Sequence, residues 1–121
     1  MKKEMKKSGF TLVEIMIVVM IIGLLAALAI PNFLKARTNT LKKNAISNAR
    51  QVLAAADEYA MENAVAGTNE VTVAQYNEYL KGGTNALNIG KVTPTLNPIN
   101  PSSDTSVTNV AAEMYPSFFT K

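Results

Sequence analysis

The 121-residue sequence has no cysteine, no histidine and no tryptophan. Without cysteine there is no disulfide framework, no thiolate metal site and no thiol nucleophile. Without histidine the usual imidazole base is missing, and losing both residue types removes the common zinc ligands. Most enzyme chemistries are disfavoured at the outset. The length allows one small domain at most, since single domains run to about 100–150 residues.

The net charge of +3 is equally uninformative as a total. Lys2, Lys3, Lys6 and Lys7 against Glu4 place all of it in the first nine residues, and residues 10–121 are balanced. A nucleic-acid reading would rest on that basic leader alone.

What the sequence has is a long apolar run. Residues 15–34 contain no charged side chain. With residues 10–14 the stretch is long enough to span a bilayer as a helix, which takes about 20 residues. A secretory signal peptide shares the basic-then-apolar order, and small residues near Leu25-Ala26-Ala27 offer a cleavage site. Its apolar region, however, runs to only about 7–15 residues, and here the helical pattern continues in phase beyond the run. Glu14 stands out, because a carboxylate near the apolar region costs at least about 2.5–3.5 kcal/mol on insertion scales. It can sit at headgroup level, protonate or find a cation. A cut just before Phe10 would create an α-ammonium four residues away.

Lys-Ser-Gly-Phe-Thr-Leu-Val-Glu (residues 7–14) with the following apolar run resembles the class III leader of type IV prepilins and type II secretion pseudopilins. The resemblance implies that a membrane aspartyl peptidase cuts after Gly9 and methylates Phe10. It implies that Glu14 pairs with a neighbour's N-terminus during assembly. Gly23 and Pro31 match a glycine and a proline of that family, between which the helix unwinds when subunits pack. The N-terminus is then cytoplasmic and the remainder lies outside the inner membrane, an orientation that the lysines and arginines flanking the span leave open.

The helical pattern outlasts the apolar run. Leu41, Ala45, Ile46, Ala49, Val52, Leu53, Ala56, Tyr59 and Ala60 recur at spacings of three, four and seven, an amphipathic face. The reading is one helix over residues 10–63, on the order of 80 Å at 1.5 Å per residue. Pro31 inside it removes one N–H and clashes with the preceding turn, and Gly23 is a second weak point. The alanine-rich stripe suits either a core face against the head or close packing of neighbouring helices. Charge falls in blocks: Lys35, Arg37, Lys42, Lys43 and Arg50, then Asp57, Glu58, Glu62, Glu70 and Glu78. In a staggered array one copy's basic block can lie beside another's acidic block; a solvated face is the plainer reading.

The remainder is poor in chemistry. Residues 63–69, with Gly67, read as the loop ending the helix. Thr72 and Gln75 have capping-box spacing, predicting a short helix through Tyr76, Tyr79 and Leu80, stopped by Gly82-Gly83. Val73, Tyr76 and Leu80 should pack on the long helix. Residues 86–89 and 92–96 around Gly90-Lys91 suggest a weak β-hairpin. The tail adds a strand or a short helix near residues 109–114, and residues 114–119 fold back over the core. Related heads carry a disulfide or a calcium loop; the first is excluded, and Asp104 alone is a poor calcium site.

The expectation is therefore an α+β, pilin-like chain: leader 1–9, long helix 10–63 with 10–34 as transmembrane segment and filament core, and small head 64–121. It is not an enzyme, and no cofactor or metal is expected. The resemblance implies a structural subunit of a type IV pilus-like helical homo-oligomer, first as the major pseudopilin of a type II secretion system. A major type IV pilin of a surface pilus (adhesion, motility, DNA uptake) is the alternative, as is a filament-tip or membrane-anchored binding module. Implied partners are the prepilin peptidase/methylase, the inner-membrane assembly platform and minor pilins; nucleic acid is disfavoured. The chain would pass the inner membrane once, head in the periplasm, before joining a periplasmic or cell-surface filament.

Overall fold

A computed structural model describes residues 2–5, 8–66, 69–101 and 106–120. Gly67, placed in the loop after the long helix, and Asp104, weighed as a calcium ligand, lie outside the described residues, as do Lys6 and Lys7. The chain divides into two compact units, residues 1–36 and 37–121. Helix α1 (Leu12–Glu62) contributes to both. Four short elements follow: α2 (Val73–Asn77), a 3₁₀ turn (Thr84–Leu87), α3 (Val107–Met114) and α4 (Pro116–Phe119).

In the first unit α1 runs through both Gly23 and Pro31. Pro31 leaves the Ala27 carbonyl without its usual backbone donor. One residue along, Asn32 Nδ2 donates to the Leu28 carbonyl at 3.2 Å. The side chains here face outward on every side, with Met20 71 %, Leu24 67 % and Phe33 68 % exposed.

In the second unit the other half of α1 supplies the floor of the core. Ala45, Ala49 and Ala56 have no exposed surface, and Val52 has almost none. Small side chains let the head approach the helix backbone closely. Above them lie Val71, Tyr76 and Leu80, then Leu87 and Ile99, then Val110, Ala111, Met114 and Tyr115. Tyr76 and Leu80 are buried and Val73 packs half-buried against the cluster, as their spacing predicts. The tail closes the core as a helix rather than a strand.

Helix α1 ends at Glu62 by a turn in which the Val65 N–H donates to the Ala60 carbonyl at 3.0 Å. Ala64 takes φ +48° there, the left-handed place that glycine usually fills at a helix C-terminus. Thr72 and Gln75 do form a capping box, the Thr72 N–H donating to Gln75 Oε1 at 2.8 Å. Helix α2 stops at Asn77, before the glycine pair; residues 78–83 continue as turns closed by bonds such as Gly83 N–H to Leu80 O at 2.9 Å.

The expected hairpin is corrected: no strand occurs among the described residues. Around Gly90-Lys91 only an isolated antiparallel bridge, Ile89 with Val92, forms. The next rung would pair residues 87 and 94. Leu87 is already in the 3₁₀ turn, and Pro94 has no N–H to give. The bridge between Val71 and Ile99 is isolated for the same reason: residue 73 belongs to α2 and residue 101 is proline.

Burial raises the pKa of Tyr76 and of Tyr115, with the Asn48 hydrogen bond working the other way at Tyr115. Tyr79 is raised by donating its hydroxyl to Glu62, and by that carboxylate's charge. A raised folded-state value means that the folded chain holds the phenolic proton longer than the unfolded chain. The stabilisation is intact below about pH 10 and is lost as pH climbs through the folded values. Thermal unfolding midpoints should therefore fall in alkali, and fall less steeply in Tyr76→Phe. An identical alkaline slope in that variant would remove Tyr76 from the account.

Candidate functional site

The residues singled out by the sequence lie at the start of α1. Thr11 immediately precedes the helix and Glu14 is its third residue. The Thr11 N–H donates to Glu14 Oε2 at 2.8 Å, and the Glu14 N–H donates to Thr11 Oγ1 at 3.2 Å. This reciprocal pair is a capping box, satisfying two backbone donors at a helix start that has no intrahelical partners for them. The carboxylate also sits at the positive end of the helix dipole. Glu14 thus has a partner in its own first turn, and no cation pairs with it among the described residues. Thr-x-x-Glu is itself a capping signature, so the role of Thr11 was legible in the sequence. Glu14 Oε1 takes no hydrogen bond among the described residues.

Phe10 sits one residue outside the cap and is 86 % exposed. A Cβ built on Gly9 would meet nothing within 4 Å, and the same holds at Gly23. Packing inside the chain demands neither glycine. Among the described residues Glu14 is brought together with Thr11 alone; Gly23 and Pro31 lie further along the same helix.

Downstream, α1 contains a stretch long and apolar enough to cross a membrane, with none of it buried. A helix apolar all round belongs in a core, in lipid or against other helices. Its first turn carries a capped acid, preceded by Gly-Phe. Residues 5–30 match the family model described as the prokaryotic N-terminal methylation motif. This methylation motif takes in Gly9, Phe10, Glu14 and Gly23, and ends one residue before Pro31.

Similarity to curated proteins extends further along the chain. The chain is 37 % identical over 70 residues to the type II secretion system core protein G of Vibrio cholerae, covering 58 % of this chain and 48 % of that one. It is 40 % identical over 63 residues to the core protein G of Escherichia coli, covering 52 % and 43 %. It is also 44 % identical over 57 residues to the type IV major pilin protein PilA of Myxococcus xanthus, covering 47 % and 26 %. The matches thus span about half the length of these relatives or less. No solved structure matches the chain.

Proposed function

We propose that this chain is a structural subunit of a type IV pilus-like helical filament, and specifically the major pseudopilin of a type II secretion system. The observation that carries the reading is the methylation motif at residues 5–30 together with an apolar stretch of α1 none of which is buried. The several core protein G relatives favour the secretion assignment over a surface pilus. The pilin relative supports the surface-pilus alternative over fewer residues.

In this reading a prepilin peptidase cuts after Gly9 and methylates Phe10. The freedom around Gly9 supports it, since recognition rather than packing is left to require a residue without a side chain. The subunit waits in the inner membrane with its N-terminus cytoplasmic and its head in the periplasm. An assembly platform and minor pilins then draw residues 10–34 out of lipid into the filament core, through heterologous contacts that never close. Glu14 has one oxygen in the cap and one without a hydrogen bond among the described residues, the latter suited to a neighbour's methylated amine. Gly23 and Pro31 mark where the helix can open. A tip or anchored binding module is less well supported, because Glu14 is retained.

Intact mass and the N-terminal residue of the protein from native membranes test the proposal. A chain beginning at methylated Phe10 is expected. A chain still beginning at Met1 beside an active peptidase would make it a plain anchor, and a cut near Ala27 would make it an exported domain.

A further inference from the structure

The outward face of α1 beyond residue 37 is a charged stripe whose two ends are complementary. Lys43, Arg50 and Asp57 are seven residues apart, and Ser47, Ala54 and Met61 fall between and beyond them at heptad spacing. At 3.6 residues per turn this stripe lies nearly opposite Ala45, Ala49, Val52 and Ala56, which are buried under the head. All six stripe residues are exposed, Met61 by 82 %.

The chain uses some charges of this helix itself. The Lys42 nitrogen stands 5.9 Å from the centre of the Phe119 ring, and Glu62 accepts the Tyr79 hydroxyl. Lys43, Arg50, Asp57 and the adjacent Glu58 have no side-chain hydrogen bond or ion pair among the described residues. They cannot pair along the helix either, because neighbours must be three or four residues apart.

We infer that this stripe docks a second copy of the chain, parallel and displaced by 14 residues, with Lys43 of one copy facing Asp57 and Glu58 of the next. The inference rests on the filament reading, which makes all copies parallel. With no displacement, cation faces cation and acid faces acid. A displacement of seven puts Arg50 against Asp57 but also Lys43 against Arg50. At 14 residues, about 21 Å along the axis, Lys43 meets Asp57 and no like charges on the stripe are opposed. Met61 then lies over Ser47, a long side chain against a small one. Two full heptads keep the stripe in phase, and repulsion suppresses the other registers.

The absence of cysteine makes the test clean. Ser47→Cys with Met61→Cys leaves all four charges in place. The two positions are about 21 Å apart on one helix, far beyond the roughly 4.4–6.8 Å Cα separation that a disulfide needs. Every bridge must therefore be intermolecular. Mild oxidation of the native-host membranes and filaments should yield a ladder of multimers from the double variant, and at most dimers from each single variant. Lys43→Glu should cut the ladder about tenfold through like-charge opposition, and adding Asp57→Lys should restore it. Wild-type filament formation reads the parent proposal separately. With wild-type filaments present, a double variant that links no further than the single ones overturns the inference, as does a ladder indifferent to Lys43→Glu.

Discussion

Glu14→Ala is expected to abolish filaments while leaving the usual amount of chain in the membrane. In the filament reading the carboxylate leaves lipid for a subunit core, where its partner is a buried ammonium. Removing one member of such a pair costs about 3–5 kcal/mol, so sheared filaments should fall by roughly a hundredfold or more at about 1.4 kcal/mol per decade. Insertion should not suffer, since the apolar run is untouched and an intramembrane charge is removed.

Alanine also removes the carboxylate half of the capping box, the bond from the Thr11 N–H, while the backbone N–H of residue 14 can still donate to Thr11 Oγ1, so two further variants separate the causes. Glu14→Gln keeps an acceptor, and the chain itself shows that glutamine can fill this role: Gln75 Oε1 receives the Thr72 N–H at 2.8 Å. Glu14→Gln should therefore assemble as poorly as Glu14→Ala. Thr11→Ala weakens the cap, leaves the charge and should lose far less. If Glu14→Gln builds normal filaments, capping and not charge is what assembly needs from this residue.

The second large effect is expected at Tyr115. Its side chain has no exposed surface and its ring stacks on Phe118 at 5.6 Å between centres. Its hydroxyl donates to the Leu87 carbonyl and accepts from Asn48 Nδ2 at 2.7 Å, while the same nitrogen donates to the Leu87 carbonyl at 2.8 Å. Three segments far apart in sequence thus meet at one polar point inside an apolar core.

Tyr115→Ala should cost about 3–5 kcal/mol, the loss expected for a large buried aromatic side chain. Residues 37–121 as a unit have only about 4–13 kcal/mol to lose, at roughly 0.05–0.15 kcal/mol per residue. Tyr115→Ala should therefore unfold much of the head at 37 °C or in mild denaturant. Tyr115→Phe keeps the ring and removes the hydroxyl, costing about 1–3 kcal/mol by leaving buried polar atoms short of partners. Denaturant midpoints of the full chain in detergent measure both. A Tyr115→Phe midpoint equal to that of the wild type would mean that the network contributes nothing and the ring everything.

The sequence by itself determined the one-dimensional features. The apolar run, its capped start and the amphipathic continuation are periodic over many residues, so helix α1 was expected at 10–63 and is found at Leu12–Glu62. Local chemistry was equally legible at Thr72 and Gln75, where two residues three apart settle a helix start. The same rule applies at Thr11 and Glu14, whose spacing of three carries the cap at the start of α1.

Tertiary structure decided what depends on residues distant in sequence. The hairpin around Gly90 is locally plausible, yet Pro94 lacks the donor for the next rung and the Thr95 N–H goes instead to the Met114 carbonyl at 2.9 Å. The tail could extend or coil by propensity alone. It coils because Val110, Ala111 and Met114 then face one buried cluster. Asn48 looks like any polar residue on a helix until Leu87 and Tyr115 arrive beside it. Which charges of α1 are spoken for was likewise settled by the fold, through Phe119 over Lys42 and Tyr79 on Glu62. Helix periodicity is written in neighbours along the chain, whereas sheet pairing and buried polar contacts need partners that only folding brings together.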